Sequence, residues 1–276
     1  DRGLVGSEMC IRDRPDIALF SAGGATSKEW APKFADIGTR VVDNSSAWRM
    51  DSTKKLIVSE VNSETLTKND YIIANPNCST MQMLVVLAPL HKKFKIKRLV
   101  ISTYQSVSGT GKSAIDQLYS ERNSSKSEKI YPYSIDQNLL PHCDVFEEDG
   151  YTKEENKLIN ETKKILNDNS IQITSTAVRV PIEICHGESV NIEFEKEYKL
   201  EEVNSILKSS PGLIVEDEPQ NNLYPMPINA ANNDEVFVGR VRRDFSIESG
   251  LNLWIVADNL RNCLLYTSDA ADDQAC

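Results

Sequence analysis

The sequence lacks several features that would assign it to common classes of protein. It has no apolar run of about 18 residues, the length that a membrane-spanning helix needs. Its six cysteines form no CxxC or CxxH spacing, which argues against a zinc site or a disulfide framework. Lysine and arginine (31) are outnumbered by aspartate and glutamate (41), and a net charge of −10 disfavours a nucleic-acid surface. We therefore expect a cytoplasmic protein that binds neither membranes nor nucleic acid.

Both ends of the chain lack the periodicity of a helix or a strand. Residues 1–14 and 263–276 resemble translated sequencing-adapter sequence, and acidic residues interrupt the start, which does not resemble a signal peptide. We predict that both stretches are artefactual tails outside the fold. Three cysteines remain between them: Cys78, Cys143 and Cys185.

The first part of the remaining sequence alternates short apolar stretches with a helical one. Strands are predicted in DIALFSAGGATS, TRVVDNSS, KLIVSEVN (residues 55–62) and DYIIANPN, and a helix in SKEWAPKFADIG. This alternation predicts a parallel sheet covered by helices on both faces. Ligands bind beyond the carboxyl ends of such strands, and the glycine turn, DNSS and NPNC fall there.

The rest of the chain predicts a second domain of a different kind. IKRLVISTYQSVSGTG predicts a strand that runs into a Ser/Gly turn, and TKEENKLINETKKIL predicts an amphipathic helix. The polar residues 121–150 between them predict a long loop or an embellishment. Four more strands follow in ITSTAVRVPI, ESVNIEFE, EVFVGRVRRD and GLNLWIVAD, with the helix LEEVNSILKSS among them. This order predicts an α+β domain with a mixed or antiparallel sheet.

Cys78 stands where a helix is predicted to begin. Asn77, Ser79 and Thr80 are residue types that cap helix starts, and apolar residues at helical spacing follow. A thiol on the first turn lies at the positive end of the helix dipole, which favours the nucleophilic thiolate. The alternative is a small packing residue that happens to fall at a cap.

Several motifs together resemble one enzyme family. SAGGATS, VVDNSSAWRMD, NPNCST, STYQSVSGTGKSAI, AVRVPIEICHGESV, VGRVRRD and GLNLWIVADNLR occur in the order found in aspartate-β-semialdehyde dehydrogenases. The resemblance implies an α/β, glyceraldehyde-3-phosphate dehydrogenase-like fold. It implies a partial Rossmann-type NADP-binding domain at residues 15–77 and an α+β catalytic and dimerisation domain with a mixed sheet at residues 78–258. Residues 259–276 would begin a truncated return to the nucleotide domain.

The resemblance also implies a reaction. The family carries out NADPH-dependent reductive dephosphorylation of L-aspartyl-4-phosphate to L-aspartate-4-semialdehyde, on the route to lysine, threonine, methionine and diaminopimelate. The implied cofactor is NADP, no metal is implied, and the implied assembly is a homodimer or tetramer.

Matching the motifs assigns implied roles to individual residues. Cys78 is the implied nucleophile, His186 the general acid/base and Gln105 the residue that orients the substrate near the cysteine. The implied cofactor contacts are Ser21, Ala22, Gly23, Ser108, Gly109 and Asn259.

The implied substrate contacts are all charged. Arg179 would bind the α-carboxylate, for which a planar guanidinium is suited. Glu154 would face the ammonium group, with the neighbouring Glu155 as the alternative, and Lys157 and Arg49 would bind the phosphate. A Glu–Lys pair three residues apart on a helix is otherwise a common surface ion pair.

The sequence departs from the family pattern at both ends. The family's Gly-x-x-Gly-x-x-Gly turn and the helix that follows the last strand have no counterpart here, so we expect an internal fragment of a complete enzyme. Two alternatives remain at this point. One is an inactive fragment or non-catalytic paralogue that only dimerises, and the other is an enzyme like N-acetyl-γ-glutamyl-phosphate reductase.

Overall fold

The fold contains two β-sheets and a central helix that packs on the second of them. The computed structural model describes residues 15–126 and 128–261, so both predicted tails lie outside the described residues. None of the helices in these two ranges is long and apolar enough to span a bilayer.

The first sheet has four parallel strands in the order β1-β2-β4-β3. Its strands are β1 (Ile17–Phe20), β2 (Arg40–Asp43), β3 (Lys55–Leu56) and β4 (Ile72–Ala74). Helix α1 (Gly24–Asp36) connects β1 to β2, and its buried Ala31 and Phe34 share a cluster with Val41 and Ile72. The predicted parallel sheet is therefore confirmed.

Residues 55–62 do not form the single strand that their apolar pattern predicts. Only β3 pairs with β4, and Ser59–Asn62 forms the short helix α2. The Asn62 side chain accounts for the break, because Oδ1 accepts the Val58 N–H at 2.9 Å and Nδ2 donates to the Leu56 carbonyl at 3.0 Å. These backbone groups are satisfied locally and cannot extend the ladder.

The second sheet has six strands in the order β6-β5-β7-β10-β9-β8. They are β5 (Ile96–Gln105), β6 (Gln172–Arg179), β7 (His186–Phe194), β8 (Leu213–Val215), β9 (Val236–Asp244) and β10 (Gly250–Ala257). Strand β5 runs parallel to β6 and antiparallel to β7, and β8 runs parallel to β9. The sheet is mixed, as predicted, although β8 is too short for its sequence pattern to reveal it.

Helix α3 (Cys78–Phe94) lies at the centre of the main core. Its apolar side chains are buried around most of its circumference, because it packs on the second sheet and also against neighbouring helices. The remaining helices are α4 (Lys112–Arg122), α5 (Lys153–Ile165), α6 (Leu200–Ser209) and α7 (Pro227–Ala230). Contacts on several sides fix α3, and therefore fix the position of Cys78 at its first residue.

The long segment between α4 and α5 stays irregular wherever the structure describes it. It is anchored rather than loose, since Tyr131, Ile135 and Leu140 pack on Ala114 and Leu118 of α4. The described residues agree with the loop interpretation, except that residues 121–122 belong to the end of α4, and the segment closes one side of the site that follows.

Candidate active site

Asn77 prepares the start of helix α3. Its Oδ1 accepts the N–H groups of Ser79 at 3.0 Å and Thr80 at 3.4 Å, which is the arrangement of an N-cap. Cys78 follows as the first helical residue and is partly exposed. The structure therefore places this thiol where the sequence predicted it, at the positive end of a helix.

Three predicted site residues lie side by side on neighbouring strands. Gln105 at the end of β5 pairs with Arg179 of parallel β6 and with His186 of antiparallel β7. Directly paired residues point to the same face of a sheet. The pattern of three strands thus brings an amide, a guanidinium and an imidazole into one row, although Gln105 is far from the other two residues in sequence.

The hydrogen bonds of His186 assign its tautomer. Its Nδ1 accepts the Ser106 N–H at 3.1 Å, so in the neutral ring the proton resides on Nε2. Burial, reinforced by the nearby Arg179, lowers the pKa of His186 to about 3, which keeps the ring neutral at physiological pH. Among the described residues Nε2 has no hydrogen-bond partner, so it is a buried donor available to a ligand.

Gly109 leaves the room that these two side chains occupy. A Cβ atom at this position would lie 3.0 Å from Nη1 of Arg179 and 3.1 Å from Nε2 of His186. Arg179 itself is buried, and its Nη1 donates to the Ser106 carbonyl at 2.8 Å. Its Nε has no hydrogen-bond partner within the described part of the chain, which leaves a donor for an anionic ligand.

Helix α5 contributes a buried ion pair. Glu154 accepts from Lys157 at 3.1 Å, from the Asn77 amide at 2.9 Å and from the Gln105 amide at 3.1 Å. Burial raises the pKa of Glu154, but the Lys157 ammonium and the amide donors outweigh it, and the pKa lies below its ordinary value. Lys157 also binds Asp144 at 2.8 Å, and the two carboxylates raise its pKa against the effect of burial. Both members of the Glu154–Lys157 pair are therefore charged at neutral pH.

The neighbouring glutamate has a different position. Glu155 accepts the N–H of Thr152 at 2.6 Å and the N–H of Ala177 at 2.9 Å, and it completes the capping box of α5. Of the two alternatives for the substrate contact, the structure therefore directs Glu154 toward the site and Glu155 toward the backbone.

Gln105 is already engaged through its amide nitrogen. Nε2 donates to Glu154 at 3.1 Å, to Ser79 at 3.1 Å and to Thr103 at 3.3 Å. An amide has two N–H groups, so donation to a ligand would require one of these bonds to be exchanged. The arrangement connects the end of β5 to the first turn of α3.

These side chains surround one cavity of about 390 Å³. Eight of the predicted site residues line it: Arg49, Cys78, Gln105, Gly109, Glu154, Lys157, Arg179 and His186. A second cleft of about 660 Å³ adjoins it and shares Ser46, Arg49 and Lys157 with it. Gly24, Ala25 and Lys28 of α1 line this larger cleft.

The other predicted cofactor contacts lie outside the cavity. Ser21, Ala22 and Gly23 are exposed in the turn from β1 to α1, directly before residues that line the larger cleft. Ser108 and Asn259 are buried behind His186, where Asn259 Oδ1 accepts from the hydroxyls of Ser106 and Ser108 and from the N–H of Cys185. Their cofactor roles stay predictions.

Several residues of the site carried no distinctive sequence signal. Asn77 was interpreted only as a cap, yet its side chain also binds Glu154. Ser106 orients the His186 ring, and Asp144 binds Lys157 from within the irregular segment. A fourth, Glu161, lies one turn beyond Lys157 on α5, and this helical spacing could have indicated that it faces the site.

Two family models provide independent evidence of ancestry. The model of the semialdehyde dehydrogenase dimerisation domain matches residues 87–262, and the model of the semialdehyde dehydrogenase NAD-binding domain matches residues 4–69. The aspartate-semialdehyde dehydrogenase of Aquifex aeolicus (strain VF5) is 56% identical over 255 residues, which span 89% of this chain and 75% of that protein.

Solved structures agree with this match. Aspartate semialdehyde dehydrogenase II from Vibrio cholerae, complexed with ASA, superposes with a TM-score of 0.87 at 42% identity, covering 94% of this chain and 78% of that one. The aspartate semialdehyde dehydrogenase of Candida albicans with NADP superposes with a TM-score of 0.70 at 21% identity, and the match covers 94% of this chain and 76% of that chain. At this identity the match supports the fold alone. The predicted resemblance is thus confirmed, and the chain is a nicotinamide-dependent oxidoreductase that belongs to the aspartate-semialdehyde dehydrogenase family.

Proposed function

We propose that this chain catalyses the reductive dephosphorylation of L-aspartyl-4-phosphate to L-aspartate-4-semialdehyde with NADPH, through a thioester on Cys78. The observation that carries the proposal is the single cavity that unites Cys78 at a helix start with Gln105, Arg179 and His186. A nucleophile, a carboxylate-binding guanidinium and a buried proton donor are the groups that this reaction needs.

The first step is acyl transfer to sulfur. The Cys78 thiolate attacks the acyl carbon, a C–S bond forms, and the C–O bond to phosphate breaks with its electron pair leaving on phosphate. Arg179 would hold the α-carboxylate through Nε, and Glu154 would bind the α-ammonium group. Arg49 and Lys157, on the side shared with the larger cleft, would bind the departing phosphate.

The second step returns the thiolate. The cofactor, when bound, supplies the hydride that reduces the thioester to the aldehyde level. Nε2–H of His186 donates a hydrogen bond to the carbonyl oxygen as that oxygen gains negative charge, and the oxyanion re-forms the carbonyl when the tetrahedral intermediate collapses. The C–S bond then breaks and Cys78 recovers its electron pair.

The larger cleft fits a phosphate-bearing cofactor. Gly24, Ala25 and Lys28, at the beginning of α1, line it, and helix N-termini with cations attract phosphate groups. Ser21, Ala22 and Gly23 precede this helix, and we propose that they approach the cofactor, with Gly109, Ser108 and Asn259 on the catalytic side. We further propose NADP rather than NAD, and a division of the chain into a nucleotide domain at 15–77 and a catalytic domain at 78–258.

The wider setting of the reaction follows from its product. We propose that the enzyme acts in the cytoplasm, on the route to lysine, threonine, methionine and diaminopimelate, as a homodimer or tetramer that binds no nucleic acid. The family assignment favours the proposed activity over that of an N-acetyl-γ-glutamyl-phosphate reductase-like enzyme. The relatives reported above are named aspartate-semialdehyde dehydrogenases.

The test is the reverse reaction on the purified chain. L-aspartate-4-semialdehyde, inorganic phosphate and NADP are supplied, and NADPH is followed by its absorbance. We expect NADPH to form with the parent chain and not with the Cys78→Ala variant. Replacing NADP by NAD should give a much lower rate of cofactor reduction. Cys143→Ala is the matched control, because Cys143 is a buried cysteine outside the cavity-lining set.

Two results would contradict the proposal. A signal that survives Cys78→Ala would exclude the thioester, and equal rates with NAD and NADP would exclude the proposed cofactor preference. A chain that folds and gives no signal with any of these reagents would favour the alternative, in which it only dimerises.

A further inference from the structure

Glu161 is a buried carboxyl that no step of the proposed reaction uses. It lies on α5, its side chain is 1% exposed, and its two oxygens contact two segments that are distant in sequence. Oε1 accepts from Nη1 of Arg49 at 3.1 Å, and Oε2 accepts from the main-chain N–H of Asn77 at 2.7 Å. One contact therefore reaches a proposed phosphate ligand and the other reaches the residue before the nucleophile.

Neither contact has the character of a surface ion pair. Arg49 is 8% exposed, and its Nη2 is fixed by the Asn44 carbonyl at 2.9 Å. Burial raises the pKa of Glu161, and the Arg49 guanidinium opposes that rise. The Arg49 guanidinium therefore stabilises the charged form of Glu161, and the Glu161 carboxylate in turn holds the guanidinium in position.

Other side chains of α5 contact the same two segments as Glu161, the loop that contains Arg49 and the turn at Asn77. Glu154, Lys157, Glu161 and Lys164 follow at intervals of three, four and three residues, which places them on one face of α5. Lys164 donates to the carbonyls of Arg49 at 2.6 Å and Asp51 at 2.7 Å. This face of α5 therefore contacts both the segment between β2 and β3 (residues 44–54), here called the Arg49 loop, and the turn that leads into α3.

We propose that Glu161 is a positioning residue that couples the phosphate-binding Arg49 to the Asn77–Cys78 turn, so that phosphate is held in register with the nucleophilic sulfur. It borders the larger cleft and acts through its two partners. The proposal rests on the proposed function, because it takes Arg49 as a phosphate ligand and Cys78 as the nucleophile.

Glu161→Gln is the sharpest variant. Both partners of Glu161 are donors, and an amide has one acceptor oxygen, so its NH₂ group would face either the guanidinium or the Asn77 N–H. Glu161→Asp keeps the charge but shortens the side chain by one methylene. Glu155→Gln is the matched control, since Glu155 is buried on the same helix but accepts from the backbone of Thr152 and Ala177.

The first readout separates phosphate binding from general damage. In the reverse reaction we expect Glu161→Gln to raise the KM for inorganic phosphate and to lower kcat, together by up to about 100-fold, because misplacement by about 1 Å costs that much. The KM for L-aspartate-4-semialdehyde should change little. Glu161→Asp should show a smaller effect in the same direction, and Glu155→Gln should lower thermal stability without changing the KM for phosphate.

The second readout does not require turnover. Alkylation of Cys78 by iodoacetamide, followed by peptide mass spectrometry, should slow in the full chain when inorganic phosphate is added. Phosphate should lose this effect in Glu161→Gln and keep it in Glu155→Gln. If the full chain lacks reductase activity, the proposed function fails while this phosphate-dependent alkylation still tests the coupling.

The inference is overturned by either of two outcomes. One is a folded Glu161→Gln variant whose KM for phosphate, kcat and phosphate-dependent alkylation match those of the parent chain. The other is a parent chain in which phosphate leaves Cys78 alkylation unchanged. Should Glu161→Gln not fold, Glu161→Asp carries the test, and parental values in that variant overturn the inference equally.

Discussion

At the scale of single residues, the region beneath the cavity contains another buried acid, Glu188. Glu188 follows His186 by two residues on β7, so both side chains point to the same face of the sheet. It is completely buried, and among the described residues neither carboxyl oxygen makes a hydrogen bond of normal geometry. Burial raises the pKa of Glu188 well above its ordinary value, so the native protein holds it as the neutral acid over a wide range of pH.

This raised pKa predicts a pH-dependent loss of stability. Between about pH 4.5 and the raised native value, the unfolded chain ionises Glu188 while the native chain keeps its proton. The native state therefore binds more protons there, and the free energy of unfolding falls by up to about 1.4 kcal/mol per pH unit as pH rises. In Glu188→Gln this pH-dependent contribution should vanish. The free energy of unfolding of the variant, measured relative to that of the parent, should therefore be higher at pH 7 to 8 than at pH 4.

Urea denaturation at a series of pH values measures the effect. The control is Glu201→Gln, the same chemical change at an exposed position in the first turn of α6, which should keep the parental slope. A slope in Glu188→Gln equal to that of the parent would show that Glu188 is ionised in the native protein.

At the scale of elements, α5 organises much of the site. Its capping box, in which Thr152 accepts the Glu155 N–H and Glu155 accepts the Thr152 N–H, fixes the first turn of the helix. Glu154 lies within that turn, but its carboxylate is held separately, by the side-chain amides of Asn77 and Gln105. The strength of the cap therefore contributes mainly to the stability of the helix.

Removing the cap should have a measurable cost. We expect Thr152→Ala to lower the free energy of unfolding by about 1 kcal/mol, because the orphaned N–H of the first turn loses its acceptor. For a chain of this size that corresponds to roughly 2–4 °C in melting temperature. Calorimetry measures the shift, and Ser134→Ala, at an exposed position of the irregular segment, should leave it within experimental error. Equal melting temperatures for Thr152→Ala and the parent would contradict the role of the cap.

At the scale of the whole molecule, the two faces of the six-stranded sheet differ. One face carries Leu99, Ile101 and Val190 into the core beneath α3. The opposite face carries Tyr104 and Trp254, whose rings lie 5.6 Å apart, and Tyr104 is 37% exposed. Because this domain matches a dimerisation-domain family model, we predict that this aromatic face forms an interface between subunits.

A charge on that face should weaken assembly. We expect Tyr104→Glu to shift the chain toward monomer at micromolar concentration, because an interface core disfavours an unpaired carboxylate. Light scattering coupled to size exclusion measures the mass. Tyr71→Glu is the matched control, since Tyr71 is similarly exposed (39%) but precedes β4 of the parallel sheet. A parent chain that is monomeric, or a Tyr104→Glu variant with the mass of the parent, would remove this interface.

The sequence by itself determined features that depend on neighbouring residues and on periodicity. The N-cap before Cys78, the helices α3 and α5, and the long strands of the second domain were all predicted, because caps and apolar spacing are local signals. The short segment 55–62 was predicted wrongly, since its apolar residues suit a strand and the competing bonds of Asn62 are visible only in three dimensions. Motif resemblance supplied the site residues that spacing alone could not.

Which of these side chains meet depends on contacts that form when the chain folds. The register of β6, β5 and β7 sets Arg179, Gln105 and His186 in one row, and strand pairing between distant segments is not encoded in any single stretch of sequence. The same holds for burial, which keeps His186 neutral and ties Glu161 to the Arg49 loop and the turn before α3. These properties arise from desolvation and from contacts across more than 80 residues of chain, as between Asn77 and Glu161, so they exist only once the chain has folded.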